Sequence, residues 1–267
     1  MPFELSYRQT WLHKINPSFK FLLVIALFIY LIFVDNPNLM VNYAIGSVGL
    51  YFFFTGHPWK RLLLIALPFL LVFVTSSTSM IFFGEGEETL FNWGLVHITK
   101  ESLFRGLHLG IRGMVFAILG VVFSLTTRPV LLFYSLMQQL KLKPKYAYSF
   151  MAAIRLLPIM LEELQTLRHA LKVRGAVGGK GIRGFYEKIK AFAIPMLSQS
   201  IRRAHRIAIA MEAKRFLNVN NRTNYYQIGF SKFDVLLLLY FIGVGVLAQF
   251  ASVNFPYFGI EDVRVIG

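Results

Sequence analysis

The sequence predicts an all-α integral membrane protein: a helical bundle of about five transmembrane helices with long amphipathic cytoplasmic helices. Three observations predict it. Apolar residues fill 56% of the 267 positions and charged residues only 15%, against roughly a quarter in a soluble domain. Five apolar runs recur along the chain, separated by polar or turn residues. The formal charge of +15 comes from one internal segment, with bases and acids balanced elsewhere.

The chain opens Met1, Pro2, Phe3, Glu4 without a basic, apolar, small-residue cleavage pattern. The expectation is that no signal peptide is removed and the first apolar run stays as an anchor. A helix needs roughly 20 apolar residues to cross about 30 Å of hydrocarbon. The runs cover 19–34, 39–54, 62–83, 107–125 and 235–253. The first two are short and flank Asp35, Asn36, Pro37 and Asn38, which reads as a tight helical hairpin. Gly46 and Gly49 in the second run, and Gly106, Gly110 and Gly113 around the fourth, allow close helix approach. Pro68 is placed to kink the third span. The hydroxyl run 75–79 either lines a polar path or bonds its own helix carbonyls, the commoner arrangement.

Lysine and arginine set the orientation. Arg8, Lys14 and Lys20 precede the first span, and Lys60 and Arg61 lie between the second and third. The loop between the first two spans has no base, and the next outer loop carries Glu85, Glu87, Glu88 and Glu101. The positive-inside rule then puts the N-terminus and the basic segment in the cytoplasm of a multi-pass cell membrane protein. The organisation expected is a membrane domain of four spans at 1–126, a cytoplasmic insert at 127–232, and a last span with an extracellular tail at 233–267.

The insert holds nineteen bases and four acids, and it is too long for a structureless connection. Breaks fall at 141–144 and in the glycine-rich 175–184. Three helices fit between: 129–140, 145–174 and 185–216. In the second, Phe150, Ile154, Leu157, Leu161, Leu164 and Leu171 follow the spacing of an amphipathic helix; Ile189, Phe192, Met196, Ile201, Ala204, Ala208 and Met211 do so in the third. Pro158 and Pro195 bend or interrupt them. Such helices lie on anionic lipid or dock on a partner, and periodicity does not separate the two.

Both long helices end in cations: Val173, Arg174 and Gly175 close the first, and Ala213, Lys214 and Arg215 the second. A cation in the last turn complements the helix dipole by roughly 0.3–1 kcal/mol, and glycine is the usual left-handed cap. Local chemistry therefore accounts for one such end; two ends of the same kind in one insert suggest a common use.

Other chemistries find little support. The absence of cysteine excludes disulfides and cysteine-ligated metals. The run 175–181 is one residue short of a phosphate-binding loop and lacks the Ser or Thr after Lys180. His13, His57, His97, His108, His169 and His205 are scattered without metal-ligand spacing. A lipid-modifying enzyme has only Glu162, Glu163, His169 and Glu212 to draw on in the insert, and a conventional ABC permease would have to form its own substrate path. Charge confined to a membrane protein's insert does not call for nucleic acid.

In the N-terminal arm, His13, Asn16, Pro17 and Lys20 resemble the His…Asp-Pro…Lys pattern preceding the first span in the T components (EcfT/CbiQ-like) of energy-coupling-factor, or ECF, importers. Val173-Arg174-Gly175 is similar to that family's first Ala-Arg-Gly-type motif, and Ala213-Lys214-Arg215 falls on the second. The resemblance implies that the two long helices are coupling helices, whose motif arginines dock in two ATPase subunits, identical or different. It implies a small membrane-embedded substrate-binding S component as a further partner, no cofactor in this chain and no catalysis by it. ATP belongs to the ATPases. Lys214 stands where the family has arginine, and Arg215 where it has glycine, so either one is left to make the second contact. The cargo implied is a vitamin, with thiamine or its precursor one candidate, or a metal ion.

Overall fold

The computed structural model describes residues 8–84, 86, 89–93, 96–175, 181–216, 224–259 and 262–263. The chain divides into two compact units, 1–135 with 228–267, and 136–227. Both are helical.

The first unit opens with a 3-10 turn, Trp11–Lys14, and continues through α1 (Pro17–Ile32), α2 (Pro37–Phe54), α3 (Trp59–Phe83), α4 (Lys100–Thr126), the start of α5 (Pro129–Gln139) and α8 (Lys232–Asn254). Between α3 and α4 an antiparallel hairpin, β1 (Thr89–Trp93) and β2 (Val96–Thr99), occupies what the sequence suggested was an acidic loop. By length and composition α3, α4 and α8 can cross a membrane; α1, at sixteen residues, is apolar but shorter. The turn expected between α1 and α2 is present, with Pro37 as the first residue of α2 and Asn36 as its cap, but the two helices pack chiefly on α4 and α8 and not on each other as a tight hairpin would. The five-span count rests on both helices crossing.

Small residues bring the helices together. A Cβ on Gly46 would lie 2.7 Å from Val244, and one on Gly106 2.5 Å from Ile81. Tyr240 donates to the Gly46 carbonyl at 2.8 Å, and Asn38 exchanges two hydrogen bonds with the backbone of Phe258. Such polar ties hold helices that gain nothing from expelling lipid. Leu31, Met40, Leu50, Leu62, Val115 and Leu119 form the core, while Leu64 and Leu247 point outward, as a lipid-facing surface requires. The hydroxyls of Thr75, Ser76 and Thr78 donate to carbonyls of their own helix, the commoner of the two expected arrangements. Helix α3 continues through Pro68.

The second unit carries the end of α5, then α6 (Pro144–Val173) and α7 (Gly181–Ala213). Its limits, 136 and 227, lie inside the expected insert of 127–232. Ser135 explains the first: its buried hydroxyl donates to Asn16 at 2.7 Å and binds the head of α5 to the membrane unit. Helix α7 starts at Gly181, four residues before the expected position, and both long helices run through their prolines. The middle of the glycine-rich stretch, 176–180, lies outside the described residues.

Candidate functional site

Glu163 of α6 pairs with Arg203 of α7 and accepts from Gln199 at 3.0 Å. Nearer the start of α6, Tyr148 meets Phe216 edge-on at 5.1 Å, just beyond the end of α7. Contacts that move down one helix as they move up the other make the pair antiparallel. The two C-terminal ends therefore point to opposite ends of the unit, separated on the order of 40 Å at 1.5 Å per residue.

The two ends share one backbone design. The Arg174 N–H donates to the Ala170 carbonyl at 3.1 Å, and the Gly175 N–H to Lys172 at 3.2 Å. At the other end the Lys214 N–H donates to Ala210 at 3.3 Å, and the Arg215 N–H to Glu212 at 2.8 Å. Gly175 has φ +66° and Arg215 φ +52°. Lys214 is thus the backbone counterpart of Arg174, and Arg215 occupies the left-handed place that Gly175 fills. Glycine does this freely, whereas an L side chain there loses about 1 kcal/mol. Val173, Arg174, Gly175, Ala213, Lys214 and Arg215 are all exposed. Sequence reasoning could not pair Lys214 with Arg174 as backbone counterparts because it lacked this torsion angle.

Both helices keep apolar side chains in the open: Leu157 on α6 and Leu197 and Ile201 on α7 are each more than half exposed. A pair buried on itself would hide them. The carboxylates and histidine that an enzyme would need do not converge. Glu163 is taken up by Arg203 and Gln199; Glu162, His169 and Glu212 are exposed, and no hydrogen bond joins any two of the four. No cluster of metal-ligating side chains occurs among the described residues.

The N-terminal arm is a lock within the membrane unit. Asn16 caps α1, accepting from the Ser18 and Phe19 N–H groups, with Pro17 in the first helical position where its missing N–H costs nothing. Its amide also donates to the Gly229 carbonyl at 3.1 Å, and its backbone N–H donates to Asp234 at 2.8 Å. The other Asp234 oxygen accepts from Ser231 at 2.7 Å, closing a capping box on α8. Lys20, fully buried, donates to the carbonyls of Leu12 (2.6 Å) and Thr126 (3.2 Å) and to the Thr126 hydroxyl (3.1 Å). The Thr126 carbonyl ends α4 and has no partner inside its own helix. Three helix ends are thus joined through three side chains, Asn16, Lys20 and Asp234.

Sequence reasoning missed Asp234 and Ser135, which bear on the arm only through partners more than a hundred residues away. It also missed Arg112, a base in the middle of α4. Arg112 donates to the Val34 carbonyl at 2.6 Å, lies 3.5 Å from Asp35, and stands 2.9 Å from His108 Nε2. A base inside an apolar run, with one acid in the α1–α2 turn, was the available signal.

The fold and the two helix ends define a class: a helical membrane protein carrying an antiparallel pair of amphipathic helices with matching cationic ends. Residues 8–225 match the CbiQ family, described as cobalt transport protein, and the chain belongs to that family as an EcfT/CbiQ-like T component. It is 26% identical over 251 residues to the energy-coupling factor transporter transmembrane protein EcfT of Macrococcus caseolyticus, covering 90% of this chain and 93% of that protein. The proteins of the same name from Streptococcus equi subsp. equi and Listeria innocua are 25% and 27% identical, with 88% and 86% of this chain covered and 90% of each relative.

Proposed function

We propose that this chain is the scaffold of an ECF-type importer in the cell membrane. Its N-terminus and the unit 136–227 face the cytoplasm, as the distribution of lysine and arginine supports. Two ATPase subunits, identical or different, take up the opposite ends of the α6–α7 pair, one on Arg174 and the other on Lys214 or Arg215. Their ATP-driven approach moves two levers, and the exposed apolar faces carry that motion to a membrane-embedded substrate-binding subunit. The chain itself performs no catalysis, and its cargo is a vitamin or a metal ion chosen by that separate subunit.

One observation carries this reading: two helix ends with the same backbone design, both cationic, lie at opposite ends of an antiparallel pair. A charge placed for the helix dipole alone would not require the same exposed turn twice. The test is co-purification of the full chain with its ATPases. Arg174→Glu combined with Lys214→Glu and Arg215→Glu should abolish assembly, and Lys214→Ala against Arg215→Ala identifies the second contact. Retention of assembly and uptake by the triple reversal would refute the docking scheme.

A further inference from the structure

Helices α1, α2 and α8 of the membrane unit border an open groove of about 530 Å³. Its polarity is graded. Leu23 and Leu27 of α1 and Leu238 and Phe241 of α8 line the part nearer the starts of those helices, where Asn16 and Asp234 tie the two together. Three polar residues, Tyr30, Tyr43 and Gln249, line the other part, towards the α1–α2 turn, and none of the lining residues is charged. From Leu238 to Gln249 the groove follows α8 for about 16 Å at 1.5 Å per residue, roughly half the 30 Å of a bilayer's hydrocarbon.

The polar end holds hydrogen-bond donors that lack acceptors. A Cβ on Gly245 would lie 2.7 Å from the Tyr43 hydroxyl, so glycine makes room for it beside α8. That hydroxyl is hydrogen-bonded to Tyr30. Two hydroxyls joined by one bond use one of their two protons, and no acceptor for the other occurs among the described residues. The Gln249 side-chain amide likewise makes no hydrogen bond among the described residues, although it is exposed beside Ile242 and Val246, each more than half exposed to lipid. It stands about 8 Å from the end of α8, close to the boundary of the hydrocarbon. Leaving such donors unpaired at that depth costs free energy, and a neighbouring acceptor removes the cost.

Length, polarity and donors together select the occupant. A helix crossing the bilayer needs the full hydrocarbon thickness and would run past the end of the groove, where α1 and α8 are tied. A carboxylate or an anionic headgroup finds no cation among the lining residues. A phospholipid acyl chain reaches from its headgroup to the midplane, the length observed. Its ester carbonyl is uncharged, can only accept, and lies at the depth of the donors. We propose that this groove binds one acyl chain of an ester-linked phospholipid from the leaflet on the side of the α1–α2 turn, its carbonyl accepting from the Gln249 amide and the spare tyrosine proton. That leaflet is the outer one in the orientation proposed above; the binding itself requires only that the unit lies in a membrane, and no ATPase. The chain then braces α1 against α8 beyond the lock at Asn16.

The test uses the full chain in nanodiscs made from equal parts of diester and diether phosphatidylcholine of the same chain length. Native mass spectrometry reads the lipid kept by the protein once the disc is stripped. Wild type should keep a phospholipid and favour the diester about fivefold, as one hydrogen bond of ordinary strength gives. Ala26→Phe, which fills the groove from an exposed position on α1, should lower the retained lipid about tenfold. Leu64→Phe, on the open face of α3, should leave it unchanged. Gln249→Leu combined with Tyr30→Phe and Tyr43→Phe should keep the lipid and bring the ratio of diester to diether to about one. Wild-type protein that keeps no lipid would overturn the proposal, as would equal retention by Ala26→Phe. So would a diester preference that is absent from wild type or that survives the triple change.

Discussion

Two Asn-Pro pairs start helices here, and comparing them measures what the N-terminal arm contributes. Asn16 caps α1 through hydrogen bonds of 3.0 and 3.5 Å, and Asn36 caps α2 through bonds of 2.9 and 3.3 Å. Replacing such a cap by alanine costs about 1 kcal/mol. Asn36 does nothing further with its side chain among the described residues. Asn16 also donates to Gly229 and accepts from Ser135, with every group buried or partly buried. Each lost bond costs about 1 kcal/mol, and the unpaired groups left behind add to that. Asn36→Ala should therefore cost about 1 kcal/mol and Asn16→Ala about 3 kcal/mol. The assay is equilibrium unfolding of the full chain in mixed micelles with increasing dodecyl sulfate, followed by tryptophan fluorescence. A difference between the two variants below about 1 kcal/mol would show that the bonds to Gly229 and Ser135 hold nothing together.

Three further outcomes follow from the same geometry. Lys20→Met should destabilise the chain by about 2 kcal/mol, because hydrogen bonds from a charged donor are lost and the relief of a buried charge offsets only part of them; a neutral or stabilising result in the same assay would mean that Lys20 is no lock. His13 has a folded pKa below its ordinary 6.5, so its stabilising contribution is present above that value and falls away as the pH drops through it towards the folded pKa. The melting temperature should therefore decline below about pH 6.5, and His13→Gln should lessen that decline, to which His57, likewise lowered by burial, also contributes. At the helix ends, Arg215→Gly should relieve about 1 kcal/mol of backbone strain and Gly175→Ala should introduce as much, read as roughly fivefold slower and faster amide hydrogen exchange in the last turns of α7 and α6.

The sequence made the helices legible because their signals are local. Apolar runs and three-and-four spacing placed α1, α2, α6 and α8 within a few residues. The start of α7 was misplaced because glycine reads as a break, although Gly184 sits inside the helix and is buried there. The hairpin β1–β2 was missed because its surroundings are dominated by acidic loop residues, and two short strands carry little periodicity. The ends at Arg174 and Lys214 were visible as residues, but their equivalence was not, since it consists of hydrogen bonds and a torsion angle. The lock at Asn16, Lys20 and Asp234 was half visible: its local members stand in the arm, while Asp234 and Thr126 enter only through the fold.

Arg215 links these observations to function. Its left-handed backbone is a local cost that glycine would remove, and nothing described in the structure offsets it. Among the described residues its side chain makes no hydrogen bond or ion pair, and it is exposed. The turn closes equally well at Gly175, so the fold does not need a side chain at this position. On the proposed docking scheme, strain that serves no internal contact is accounted for by an external one. Lys214 gives up the planar fork with which arginine pairs a carboxylate, and Arg215 returns a guanidinium to the same turn one residue later. Beyond its last helical residue the second end thus carries Lys214 and Arg215, where the first carries Arg174 and Gly175. A docking surface built for that end would have to present acid to both.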